Sequence, residues 1–206
     1  MAAGDLQLET MRIYRALTTQ RQDWGGKLVL MCGTGRGQRG ASAAVSIAGG
    51  TSLTVDADAS AMKAAQRSGY LDFVVNSLDE ALRALKNEIR QKRPLSVGLI
   101  AGVDATLAEM DERGIQPDLR FEPTTLPIIL QPGDEYYFAA TDGAALRQID
   151  AALLDVLPPD HLDRRRWFQR APQFLRDARS GGRWMWLTRA DLDLLAAKSI
   201  TPDPRS

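Results

Sequence analysis

Two residue types that carry much of protein chemistry are nearly missing. The 206-residue chain has one cysteine, Cys32, and one histidine, His161. A lone cysteine excludes an internal disulfide, and the pair supplies too few ligands for a Cys/His zinc site. A surplus of charge is also absent, because 26 basic and 26 acidic side chains cancel. That removes the electrostatic argument for nucleic acid or an acidic membrane as the main partner. No apolar run approaches the ~20 residues needed to cross a bilayer. The opening stretch, MAAGDLQLETMRIYRAL, lacks the basic start and apolar block of a signal peptide, so the expectation is a soluble cytoplasmic protein. What is present is ordinary for a globular chain, with 44% hydrophobic and 25% charged residues. The length suits one α/β domain with a small appendage.

Along the chain, short apolar runs alternate with helical periodicities. Residues 6–23 read as an amphipathic helix stopped by Gly25 and Gly26. KLVLMC (27–32) has the length and continuous apolarity of a strand buried on both faces. GASAAVSIAGG (40–50) predicts a short helix closed by glycine. TSLTVDAD gives a second strand, ASAMKAAQRSG a helix, and DFVV a short third strand. A helix follows that opens with Ser77 and Glu80 in capping-box spacing and stops before Pro94. SVGLI is the fourth strand, DATLAEMDERG a helix and DLRF the fifth strand. This alternation predicts a doubly wound, mostly parallel sheet wrapped by helices. Afterwards EPTTLPIILQPGDE is loop-like, YYFAA reads as a last strand at an edge, and GAALRQIDAALLDVL is a helix. The expected division is a sheet domain over 1–157 and a helical extension over 158–206 packed on it. Within the extension, GGRWMW reads as a bend between two helices.

The chemistry concentrates after the first strand. Gly35, Gly37 and Gly40 spell G-x-G-x-x-G, with Gly33 in front, between a buried strand and a helix. A pyrophosphate needs bare backbone N–H groups at a helix N-terminus, and glycine removes the Cβ that would stand in its way. Arg36 and Arg39 add charge there. The second strand ends at Asp56, about twenty residues on, where the dinucleotide fingerprint places an acid for the ribose hydroxyls. An acid there repels a 2′-phosphate, which points to NAD over NADP. Asp58 is the second candidate acid. The competing reading is a strand–turn–helix that needs glycine for close packing alone, with the aspartates ending the strand and capping the helix.

The stretch from GKLVLMCGTGRGQRGASAAVSIAGGTSLTVDADASAM, through GYLDFVVNSLDEALRALKNEIRQKRPLSVGLIAG, to LAEMDERGIQPDLRF resembles the central domain of urocanase (urocanate hydratase) over about residues 26–121. The resemblance implies a Rossmann-like domain holding NAD, which in that family acts as an electrophile toward the imidazole ring before water adds. It puts the pyrophosphate-binding part of the loop on Arg36, Gly37 and Gln38 and the ribose acid, a glutamate in the family, on Asp56. Gly102 and Val103 occupy the place of an Asn-Ala pair after the fourth strand. Ala61 stands where the family has a basic residue. FEPTTLPII replaces a segment near nicotinamide and substrate, with Thr124 and Thr125 as its only echo, and the catalytic cysteine region has no counterpart. Cys32, at the end of the first strand, does not substitute for it.

Three further features complete the candidates. His161 is a general base by type but follows Pro-Pro-Asp at a helix start, where capping or a surface position is the plainer reading. Asp104 lies beyond the fourth strand, as a ligand group or as the N-cap of the next helix. Residues 164–186 interleave Arg164, Arg165, Arg166, Arg170, Arg176, Arg179 and Arg183 with Trp167, Phe168, Phe174, Trp184 and Trp186. That mixture suits a protein or homo-oligomer interface, the bases and phosphates of a nucleic acid, against which the neutral net charge counts, or an extension whose aromatics pack inward while its arginines line the wet face. Two functions follow: an NAD-dependent hydro-lyase or enzyme subunit acting on a small imidazole-like metabolite, or a non-catalytic nucleotide-binding module working through a partner protein.

Overall fold

In the computed structural model, residues 3–34, 38–121, 135–175 and 181–203 are described. The elements run α1 (Ala3–Gln20), β1 (Leu28–Cys32), α2 (Gln38–Ala48), β2 (Thr51–Asp56), α3 (Ala59–Arg67), β3 (Phe73–Val75), α4 (Leu78–Gln91), β4 (Leu95–Ile100), α5 (Val103–Glu112) and β5 (Leu119–Phe121). After these come β6 (Glu135–Ala139), α6 (Gly143–Val156), α7 (Leu162–Phe174), β7 (Gly182–Trp186) and α8 (Arg189–Ala197).

The five apolar runs pair as a parallel sheet in the order β3-β4-β2-β1-β5. The central strands β1, β2 and β4 are covered on both sides: β1 is a continuous apolar run, while β2 and β4 alternate apolar side chains with small ones, Ser52, Thr54, Ser96 and Gly98, that are buried as well. Side chains still alternate between two cores. Val29 and Met31 face α1, α2 and α7, while Leu28, Leu30, Leu53, Val55, Val97 and Leu99 face α4 and α5. Each buried Leu, Val or Ile contributes roughly 1.5–3 kcal/mol through the hydrophobic effect. A third cluster seats Met62 and Ala65 of α3 with Leu71, against Leu6 of α1. Thus α2 and α3 cover one face and α4 and α5 the other. The chain steps one way across the sheet to β3, then returns, and right-handed crossovers require the two directions to use opposite faces.

The alanine-rich α2 is the most enclosed helix. Residues 40–48 are all buried, from Ala41 and Ala44 at 0% exposure to Ala43 at 3%. Small side chains let sheet, α1 and α7 approach it together, as expected for a helix buried all round. The α4 capping signal also holds, with one change. Ser77 Oγ accepts the Glu80 N–H, but the Glu80 carboxylate reaches the Asn76 N–H and not that of Ser77.

Two expectations need correction. YYFAA does not extend the edge of the parallel sheet; it lies in β6, which pairs antiparallel with β7 as a separate two-stranded sheet. GGRWMW is that partner strand and not a bend, with Glu135 opposite Trp186 and Ala139 opposite Gly182. The glycines suggested a turn, but the strand's register depends on a partner far back in the chain. Gln7 of α1 ties β7 down from the other side, accepting the Trp184 N–H and donating to the Gly182 carbonyl. The C-terminal helices pack on the sheet unit through Trp167 and Phe168, which share one apolar cluster with Tyr14 and Ala44. Among the described residues, no helix is long and apolar enough to cross a membrane.

Candidate functional site

Among the described residues, the winding of the sheet selects one place. After β2 the chain leaves to α3 on one face, and after the adjacent β4 it leaves to α5 on the other. Neighbouring strands whose exits diverge open a crevice at their carboxyl ends, the usual ligand position in open α/β sheets. The Ala101 N–H donates to the Asp56 carbonyl at 3.2 Å, joining the two strand ends at that point. The glycine loop leaves β1 next door, since Cys32 pairs with Val55.

Asp56 organises the rim of this crevice. Its Oδ2 accepts both the backbone N–H and the hydroxyl of Thr34, each at 2.6 Å. Its Oδ1 accepts the Asp58 N–H at 2.8 Å. Burial alone pushes the Asp56 carboxyl up, but the Thr34 and Asp58 donors outweigh it and hold the group below the usual carboxylate range. Gly33 starts the loop at φ +95°, a left-handed conformation that glycine adopts without a Cβ penalty, and its N–H reaches the Val55 carbonyl.

The other expected site residues divide. Gly35, Arg36 and Gly37 lie outside the described residues. Gln38 opens α2. Gly40 sits where α2 crosses α1, and a Cβ there would come within 3.2 Å of Thr10 Oγ1. Its lack of a side chain is therefore accounted for by helix–helix approach. Gly102 is the N-cap of α5, and its carbonyl accepts the N–H and hydroxyl of Thr106. Val103 is the first helical residue, so Asp104 sits inside the first turn and is not the N-cap. A Cβ on Gly102 would meet nothing closer than Ala105 Cβ at 4.0 Å, so this side of α5 is open. Asp58 caps α3 by accepting the Ser60 and Ala61 N–H groups, so its carboxylate is engaged in the helix cap.

The family model of the urocanase Rossmann-like domain matches residues 8–140, well over half of the chain. The chain belongs to this urocanase domain family. The match begins within α1 and ends just after β6, so it includes the whole parallel sheet and the Thr34–Asp56 contact. A Rossmann-like domain is a dinucleotide-binding fold, and the urocanase match thereby agrees with the crevice that the strand order selects. The partner strand β7 and helices α6, α7 and α8 lie beyond the matched residues.

In this urocanase-family chain the arginine-aromatic segment is engaged internally. Arg164 pairs with Asp191 at 2.6 Å and Arg183 with Asp150 at 3.0 Å, both guanidiniums buried, where a wet face was expected. Arg165 donates to the carbonyls of Leu154 and Leu157, at the end of α6. Arg166 donates to those of Gln22 and Ala48. Trp167 Nε1 donates to the Trp184 carbonyl. Cations at helix ends complete carbonyls that have no intrahelical donor. Arg176 and Arg179 lie outside the described residues. His161 is the N-cap of α7 without a side-chain capping bond, and its Nδ1 contacts Arg164. It lines a separate cavity of about 300 Å³ with Arg15, Asp163, Trp186 and Thr188. Among the described residues, no group of three or more His, Cys, Asp or Glu side chains could hold a metal ion.

The residue that sequence reasoning missed is Thr34. No local signal marks it: the contact appears once β1 and β2 pair with Cys32 opposite Val55, which brings the loop entrance beside the acid that ends β2.

Proposed function

We propose that this urocanase-family domain binds NAD at the carboxyl ends of β1, β2 and β4. The single observation that carries the reading is an ionised, pre-oriented Asp56 at the point where the strand exits diverge. In this reading Asp56 receives a hydroxyl of the adenosine ribose. The loop from Gly33 to Gly40, with Arg36, Gly37 and Gln38 at its centre, holds the pyrophosphate at the start of α2. Gly102 and Val103 line the far side, where the missing Cβ leaves room. A carboxylate held in its charged form repels a 2′-phosphate, so NAD is preferred to NADP.

The family relationship extends the proposal to a hydro-lyase or enzyme subunit acting on a small imidazole-like metabolite. When bound, NAD would supply the electrophile. The chain's own part in this reading is to bind and orient the dinucleotide. The competing role, a non-catalytic module acting through residues 164–186, has less support, because the arginines and tryptophans described there already hold the fold together.

Mass spectrometry of the purified native chain for bound NAD, followed by calorimetric titration of the stripped protein, tests the reading. Asp56→Ala should weaken NAD binding by about 1–3 kcal/mol, the scale of a hydrogen bond to a charged group. An unchanged affinity would mean that the ribose assignment is wrong. Absence of binding to NAD, NADH and AMP would remove the nucleotide site altogether.

A further inference from the structure

Asp56 has less capacity to spare than a strand-end acid in an open crevice. A carboxylate offers about four acceptor positions, two on each oxygen. Thr34 fills both positions of Oδ2 through its N–H and its hydroxyl, each at 2.6 Å. The Asp58 N–H takes one position of Oδ1 at 2.8 Å. Among the described residues, no other donor reaches the carboxylate, and one acceptor position is left. The Asp58 bond belongs to the turn into α3, and Asp58 itself caps that helix, so Oδ1 is held by a fixed backbone group. On Oδ2 one donor is likewise backbone, the Thr34 N–H, and the other is the Thr34 hydroxyl.

Resting on the NAD reading above, we infer that Thr34 is a specificity-determining residue that restricts Asp56 to one of the two adenosine ribose hydroxyls. An unclamped acid at this place could accept from the 2′- and 3′-hydroxyls together. Here the second hydroxyl has no carboxylate position to enter. The same clamp keeps the charge of Asp56 at the rim, so discrimination against a 2′-phosphate does not depend on contact with both hydroxyls.

The test is calorimetric titration of the stripped full chain with NAD and with NAD analogues lacking either the 2′- or the 3′-hydroxyl of the adenosine ribose. One analogue should bind about tenfold more weakly and the other within about twofold of NAD, as for one charged hydrogen bond lost or kept. In Thr34→Val the backbone N–H remains but one Oδ2 position is released, so the previously indifferent analogue should now bind several-fold more weakly than NAD. Thr34→Ser, which keeps the hydroxyl, should retain the wild-type pattern. Equal losses for both analogues in the wild type, or the same pattern in Thr34→Val as in the wild type, would overturn the clamp and leave NAD binding standing. Indifference to both hydroxyls would overturn the Asp56 ribose assignment together with the clamp. No binding of NAD itself would sink the nucleotide reading first.

Discussion

The Arg164 guanidinium and the Asp191 carboxylate meet at 2.6 Å, with their side chains only 5% and 7% exposed. The contact joins the start of α7 to the start of α8, where Asp191 also accepts the N–H and hydroxyl of Thr188 in a capping box. Two helices are thus fixed by one carboxylate. Such a pair adds little when compared with apolar residues of the same volume, but removing one partner strands the other charge in the core.

Arg164→Ala should therefore destabilise the protein by about 3 kcal/mol, more than the loss of an exposed ion pair, which is worth under ~1 kcal/mol. Urea unfolding followed by circular dichroism measures it. In a double-mutant cycle with Asp191→Ala, the double variant should lose less than the sum of the single losses. Additive losses would mean that the two groups do not interact.

Acid should weaken the protein through a defined set of carboxylates. Burial pushes Asp191 up, yet the Thr188 donors and Arg164 outweigh it and leave the group below its ordinary 3.8. A carboxylate whose folded value is depressed stabilises the fold above the unfolded value, and that stability is lost as pH falls through the folded value. Asp150 runs the other way. Burial dominates Arg183 there and raises the carboxyl, so its contribution declines as pH rises past 3.8 toward the higher folded value. Unfolding midpoints between pH 3 and pH 7 should show a shallower acid loss in Asp191→Asn than in the wild type. Asp150→Asn should leave the acid loss as steep or make it steeper.

Trp167 is 1% exposed, packs its ring 5.5 Å from that of Tyr14, and donates to the Trp184 carbonyl. It joins α7 to α1 and to β7. Trp167→Ala should cost about 3–5 kcal/mol, as large-to-small changes in a packed core do. Trp167→Phe should cost less, because it keeps an aromatic ring and leaves a smaller cavity, although it loses the N–H bond. Thermal unfolding should order the three proteins accordingly, and a Trp167→Ala midpoint within a degree of wild type would contradict the packing described.

Saturating NAD at about a hundred times its Kd should stabilise the folded chain by about 2.7 kcal/mol, since it binds the folded form alone. The shift should shrink in Asp56→Asn, which gives up the charge. Because Asp56 titrates below the usual carboxylate range, NAD affinity should stay flat from pH 8 to pH 5 and fall only as pH drops through that lower value. A midpoint near neutrality would assign the controlling group elsewhere.

The strand–helix alternation and the acid closing β2 were legible, because each rests on local chemistry. A parallel strand covered on both faces carries apolar or small uncharged residues, as β1, β2 and β4 do, and Ser77 announces α4 through a bond three residues long. The strand β7 was hidden because GGRWMW carries turn glycines and a buried Arg183 whose partner, Asp150, sits on another helix. The arginines at 164–166 looked like surface charge for the same reason, since their acceptors lie on α2 and α8, at the end of α6 and in the turn after α1.

By itself the sequence determined the periodicities, the helix caps and the placing of glycines and an aspartate on either side of α2, which are short-range matters of sterics and hydrogen bonding. Only the tertiary structure decided which aspartate caps a helix, and that Thr34 closes on Asp56. Those outcomes depend on the register of strands and the crossing of helices far apart in the chain, and on desolvation that favours paired charges over lone ones.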